Sequence, residues 1–205
     1  MTVQIAEPSV SPRPKPATSD LLPASLRRIV LTGFMGAGKT TVGRLLAARL
    51  NWDFLDLDAL IEARTGLSVP SIFATHGESH FRQLESQALA CALGRSRVVL
   101  ALGGGAPEIL TNRLLLEQTP ATATVFLDAP FATLFDRCML QALNAGTTER
   151  PNLADPAAAE QRFLTRQPIY RRLAHHAIST ADLSTQETVT ALLARLNAPP
   201  PRRRR

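Results

Sequence analysis

Along residues 28–196, short continuous apolar runs alternate with stretches whose apolar positions recur every three or four residues. Such runs lie within 28–32, 53–56, 97–102, 123–127 and 176–179 and predict strands; the periodic stretches predict helices near 38–50, 57–65, 69–75, 78–94, 107–117, 130–143, 157–174 and 184–196. In the first helix Val42, Leu45, Leu46 and Leu50 share one face. Strands that alternate with helices are joined by right-handed crossovers, so the pattern predicts an α/β fold: a doubly wound, five-stranded parallel sheet flanked by helices. Ligands of such sheets bind beyond the carboxyl ends of the strands.

Two regions break the pattern. Residues 66–82 carry Gly66, Pro70 and Gly77 among several apolar residues and read as an insertion of short helices. Residues 144–156 combine turn formers with a single arginine, Arg150, as an active-site lid does. Residues 1–25, rich in Pro, Ser, Ala and Thr, and residues 198–205, Ala-Pro-Pro-Pro-Arg-Arg-Arg-Arg, read as disordered tails around a folded body spanning 26–197.

The predicted strand 28–32 leads into Gly33-Phe34-Met35-Gly36-Ala37-Gly38-Lys39-Thr40, which fits G-x-x-x-x-G-K-[ST], and the first helix follows. Strand, glycine loop and helix are the context this motif requires, because backbone N–H groups and a helix N-terminus must converge on one anion. Lys39 is then placed to reach the β- and γ-phosphates of a nucleotide, and the Thr40 hydroxyl to ligate Mg²⁺. Asp56-Leu57-Asp58 ends the second strand. Asp56 is a candidate for holding Mg²⁺ through a water; Asp58 fits a catalytic carboxylate and equally a helix start stabilised by its dipole. Gly103-Gly104-Gly105 follows the third strand and either lets a ligand approach the backbone closely or makes a tight turn before Pro107. Arg82, Arg150 and Arg166 are candidate anion forks, since guanidinium grips a carboxylate or phosphate with two prongs.

Charge narrows the partners. Of the net +6, four charges belong to Arg202–Arg205, and residues 1–25 are neutral, so the body carries no nucleic-acid footprint. The chain holds two lysines, Lys15 in the tail and Lys39 in the phosphate loop. Two cysteines, Cys91 and Cys138, make no disulfide framework; both lie in helical patterns, are expected to be buried thiols, and fit a reducing, cytoplasmic compartment. No apolar run approaches the length of a membrane span, and residues 1–25 lack the apolar stretch of a signal peptide.

These pieces together resemble the shikimate kinase family from about Arg28 to Leu196. The resemblance rests on Gly33 to Thr41, Asp56-Leu57-Asp58 with Ile61 to Gly66, Ile72 to Glu78, Phe81-Arg82 with Glu85, the triple glycine, Arg150-Pro151, and Arg166 before Pro168-Ile169-Tyr170. It implies a five-stranded parallel sheet of nucleoside-monophosphate-kinase type, with a substrate-binding region about 57–85 and a lid about 144–157. It also implies transfer of the γ-phosphoryl of ATP, with Mg²⁺, to the 3-hydroxyl of shikimate, a step toward chorismate and the aromatic amino acids. By that resemblance Gly36, Ala37, Gly38, Lys39, Thr40 and Thr41 wrap the ATP phosphates, and Thr40 with Asp56 serves the metal. Asp58 orients the accepting hydroxyl or acts as base. Arg82 and Arg166 clamp the substrate carboxylate, Gly103 to Gly105 line the acid, Gly104 touching a ring hydroxyl through its backbone, and Phe73 and Phe81 wall its pocket. Arg150 swings in with the lid, and Arg137 packs near adenine. A monomer is expected.

Departures from the family pattern are Asn152 in Arg150-Pro151-Asn152-Leu153, a longer loop from Gln141 to Glu149, and the N-terminal extension. A gluconate-type sugar-acid kinase shares the sheet and the phosphate loop; Asp58, Arg82, the triple glycine and Arg166 favour shikimate. A non-catalytic regulatory module would come fused to a DNA-binding segment, which 25 Pro-rich residues do not provide, and Lys39, Asp56 and Asp58 are all present.

Overall fold

A computed structural model describes residues 22–144 and 155–198. Five parallel strands, β1 (Arg28–Thr32), β2 (Asp53–Asp56), β3 (Val98–Ala101), β4 (Thr122–Asp128) and β5 (His176–Ser179), lie in the order β2-β3-β1-β4-β5. Among the described residues seven α-helices surround them: α1 (Lys39–Leu50), α2 (Leu57–Thr65), α3 (Val69–Leu93), α4 (Leu110–Gln118), α5 (Phe131–Asn144), α6 (Pro156–Leu173) and α7 (Thr185–Asn197). The doubly wound parallel architecture is the one the alternating pattern predicts.

Side chains alternate across the central strand and both faces are covered, which is why Ile29, Val30 and Leu31 of β1 are all apolar. Ile29 and Leu31 pack with Val42, Leu46 and Leu50 of α1 and with Val189, Leu192 and Leu196 of α7. Val30 points the other way, into Leu57 and Ile61 of α2 and Ile72, Phe81 and Leu89 of α3. All of these are buried, each worth roughly 1.5–3 kcal/mol on removal from water. Among the described residues no helix is long and apolar enough to cross a membrane.

Four local expectations are corrected. The helices expected at 69–75 and 78–94 form one run, α3, broken at Gly77, whose φ of 79° and ψ of 171° no right-handed helix contains. The helix expected at 107–117 is a 3-10 turn at Ala106–Glu108 followed by α4, because Ile109 is extended (φ −79°, ψ 122°) and interrupts the winding. Residues 22–25, expected in the tail, belong with the folded body: Leu22 is buried in the core, and Leu26 N–H closes a turn onto Pro23 O at 2.9 Å. Cys138 is buried as expected, whereas Cys91 is exposed, since it lies on the solvent side of α3 while Ala88, Leu89 and Ala92 face the core.

Candidate active site

The first three strands end level with one another. Leu31 and Asp56 both pair with Ala101, so the loops after β1, β2 and β3 open onto one edge of the sheet. Each carries chemistry.

The loop after β1 is shaped for an anion. Helix α1 starts from Gly38 (φ 85°, ψ 16°) with neither a side-chain cap nor an acidic residue in its first turn. Helices α2, α6 and α7, by contrast, have their first N–H groups capped by Asp56, Asp155 and Ser184. The leading N–H groups of α1 are thus left for a ligand. Gly36 (φ 77°) is held by its surroundings as well as its dihedral: a Cβ there would collide with Leu134 O and lie 3.0 Å from Cys138 Sγ, so α5 buttresses the loop. The Lys39 ammonium donates to Gly33 O (2.9 Å) and Phe34 O (3.1 Å). Burial lowers its pKa from the ordinary lysine value, and the nearby carboxylates Asp58 and Asp56 oppose that shift.

Asp56 joins two elements. Its Oδ1 accepts from the N–H groups of Asp58 (3.2 Å) and Ala59 (3.5 Å), capping α2, while its Oδ2 accepts from the Thr40 hydroxyl at 2.8 Å. Among the described residues no cluster of three or more His, Cys, Asp or Glu side chains could hold a metal. A hydroxyl and a carboxylate at this spacing nevertheless suit Mg²⁺, a hard cation that keeps several waters and takes its remaining oxygens from phosphates. Asp58, on the first turn of α2, has its pKa raised by burial and by Asp56, against the pull of Lys39 and Arg82.

The triple glycine after β3 is where the remaining groups meet. A Cβ on Gly103 would lie 2.7 Å from Glu85 Oε1 and 2.8 Å from Asp58 Oδ1. One on Gly104 would meet Arg166 Nη1 at 3.6 Å and the Tyr170 hydroxyl at 3.7 Å. One on Gly105 would collide with the Arg82 guanidinium. Both arginines are paired: Arg82 with Glu85 (2.8 Å) and Glu78 (3.0 Å), Arg166 with Glu108 (2.8 Å). The Phe81 ring is buried, lies 4.6 Å from that of the partly exposed Phe73, and carries the Arg82 guanidinium 5.5 Å from its centroid. The close packing yields a prediction. Gly105→Ala displaces an Arg82 that Glu85 and Glu78 hold in place, and steady-state kinetics should show kcat/KM for the acid substrate falling about 10²-fold with the nucleotide KM nearly constant. Equal losses for both substrates would detach Arg82 from the acid.

Lys39, Thr40, Asp56, Asp58, Arg82, Gly103, Gly104, Gly105 and Arg166 are therefore one constellation, with Phe81 beneath the Arg82 guanidinium and Phe73 against Phe81. Ala37 is buried beneath the loop and Thr41 is exposed. Arg137 donates to the Thr180 hydroxyl (3.1 Å) and to the carbonyls of Thr180 (2.5 Å) and Ala181 (3.2 Å), which pins it to the loop after β5. Arg150 and most of the expected lid lie outside the described residues. Three site residues were given no role by sequence reasoning. Glu85 is fully buried, yet its place three residues after Arg82 on a helix signals the pair. Tyr170, one turn after Arg166 on α6, donates its hydroxyl to Gly104 O at 2.5 Å, and burial raises its pKa. Glu108 carries no local signal, because its partner lies on a distant helix.

The shikimate kinase family profile matches residues 35–197. A shikimate kinase of Symbiobacterium thermophilum is 42% identical over 171 residues, covering 82% of this chain and 95% of the relative. The solved shikimate kinase from Acinetobacter baumannii in complex with shikimate superposes with a TM-score of 0.74 at 36% identity, over 83% of this chain and 93% of that one. A gluconokinase from Sinorhizobium meliloti, at a TM-score of 0.51 and 20% identity over 82% of this chain and 92% of its own, shares the fold alone. Sequence likeness across the sheet and its crevice, from the phosphate loop to the last helix, shows that this chain belongs to the shikimate kinase family.

Proposed function

We propose that the crevice transfers the γ-phosphoryl group of ATP to the 3-hydroxyl of shikimate, giving shikimate 3-phosphate and ADP. The observation that carries the assignment is the triple glycine, which brings Asp58, Arg166 and Arg82 to successive residues of one loop, with Lys39 within electrostatic reach of both Asp58 and Arg166. Nucleotide phosphates lie on Gly36 to Thr41, with Lys39 against the β- and γ-oxygens. Thr40 and Asp56 hold Mg²⁺, which neutralises charge on the phosphates when bound. Arg82 and Arg166 take the substrate carboxylate from two sides, Phe73 and Phe81 cover the ring, and Gly103 and Gly104 admit it against bare backbone. Asp58 accepts a hydrogen bond from the 3-hydroxyl and aims its lone pair at the γ-phosphorus. Positioning of this kind supplies much of the rate in phosphoryl transfer, because the enzyme has little covalent chemistry to do. Arg150 completes the phosphate contacts from the lid, and Arg137 offers its guanidinium face to the adenine. The protein works as a cytoplasmic monomer.

Coupled ADP release with shikimate, quinate and gluconate offered separately tests the substrate. Turnover with shikimate is expected, and turnover with gluconate alone overturns the assignment. Arg166→Lys keeps the charge but loses the two-pronged grip. Its shikimate KM should rise roughly tenfold with a far smaller change in the ATP KM; equal changes in both would remove Arg166 from the carboxylate.

A further inference from the structure

The Arg166 guanidinium is already engaged. Glu108 Oε2 lies 2.8 Å from its Nη2, the side chains being 33% and 14% exposed. Nη2 is the nitrogen common to both edges, Nη1/Nη2 and Nε/Nη2, on which a carboxylate can take a two-pronged hold. Nε is buried and has no hydrogen-bond partner. A substrate carboxylate that grips Arg166 must therefore share Nη2 with Glu108 or displace it. Arg82 offers no relief, since it faces Glu85 and Glu78.

Of these glutamates, Glu108 is built to let go. The Glu85 side chain is 1% exposed and cannot regain water without opening the core. Glu78 is 66% exposed, but its release leaves Arg82 paired with Glu85. Glu108 stands on a 3-10 turn whose backbone is tied down: its N–H donates to Gly105 O (2.9 Å), Arg113 Nη1 donates to Pro107 O (2.7 Å) and Glu108 O (2.9 Å), and Asn112 Nδ2 donates to Ala106 O (3.0 Å). The backbone of the turn is fixed, while the carboxylate is one-third exposed and so has water to receive it if the pair opens. A tethered anion of this kind is present at high effective concentration and opposes any incoming anion at the same guanidinium.

We propose that Glu108 is a specificity-determining residue: a resident counter-ion with which the substrate carboxylate must share or contest Nη2 of Arg166, so that it sets the affinity for the acid. The proposal rests on the reading that Arg166 binds the substrate carboxylate. Glu108 penalises every ligand that uses Arg166 as an anion fork and is indifferent to a ligand that does not.

The test compares wild type, Glu108→Gln and Arg166→Lys in the full-length enzyme, with shikimate and with its uncharged methyl ester as acceptors. Glu108→Gln should lower the shikimate KM roughly five- to tenfold. The ATP KM and the methyl-ester KM should stay within about twofold of wild type, so the preference for acid over ester widens. A role confined to packing moves acid and ester together and does not produce that split. A shikimate KM that is unchanged or higher in Glu108→Gln, while Arg166→Lys raises it, overturns the proposal alone. A shikimate KM untouched by Arg166→Lys overturns the carboxylate reading and the proposal with it. Glu108→Ala, with its melting curve, repeats the comparison without the amide's own hydrogen bonds and should shift the acid KM in the same direction.

Discussion

Lys39→Ala abolishes turnover, by about 10³-fold or more, and leaves the protein folded. The ammonium sits on Gly33 O and Phe34 O, beside the bare N-terminus of α1, where in the proposed reaction the transferring phosphoryl oxygens gather negative charge. Lys15 is the only other lysine in the chain. The fold does not depend on Lys39. Burial depresses its pKa, meaning that the charged form is less comfortable in the folded state than in the unfolded one. A neutral side chain removes that cost, so Lys39→Ala should melt at or above the wild-type temperature in the absence of nucleotide. Coupled ADP release and thermal unfolding, run on one preparation, check both halves. Loss of cooperative unfolding would show that the ammonium is structural.

The second large effect is on Asp58. Asp58→Asn keeps the shape and removes the carboxylate that in the proposed reaction aims the accepting hydroxyl, and kcat should fall about 10²- to 10⁴-fold with the ATP KM little changed. The pKa of Asp58 is raised, chiefly by burial and then by Asp56. The working, ionised form is therefore lost as pH falls through a value above the ordinary aspartate range, and the acid limb of kcat should sit correspondingly high. The residual activity of Asp58→Asn should lack that limb. The stability sign is opposite. A carboxyl with a raised folded-state pKa contributes stability at pH below its unfolded-state value and loses that contribution as pH rises through the folded-state value. At neutral pH the ionised Asp58 is thus a cost, and Asp58→Asn should melt higher than wild type while it turns over more slowly. That trade is expected of a strained catalytic group. A variant with unchanged kcat and a lower melting temperature would make Asp58 a helix-start residue, the other reading its position allows.

The inner strands β1, β3 and β4 were legible because parallel strands buried on both faces are written as continuous apolar runs, whereas the edge strands β2 and β5 are partly exposed and carry only two apolar residues each. The phosphate loop was legible because its function is carried by backbone N–H groups, and backbone geometry at that density requires glycines at fixed spacing. Asp56 could be read from its position at a strand exit; its second task, capping α2 while accepting from Thr40, needed coordinates. The anchoring of Leu22 escaped because it depends on what the residue packs against rather than on its neighbours in sequence. The solvent-facing side of Cys91 escaped for the same reason.

Local rules acting through the backbone were enough to determine the layered sheet, the anion-binding loop and the identity of the charged side chains at the strand ends. Which charge faces which was settled only in three dimensions. Glycines at 103–105 put no Cβ on the turn and so allow Asp58, Glu85, Arg82 and Arg166, from three different helices, to converge on it. Glu108 and Arg166 lie far apart along the chain and meet because α6 packs across that turn. Electrostatic energy depends on separation in space and on exposure to water, and neither quantity is contained in the order of the residues.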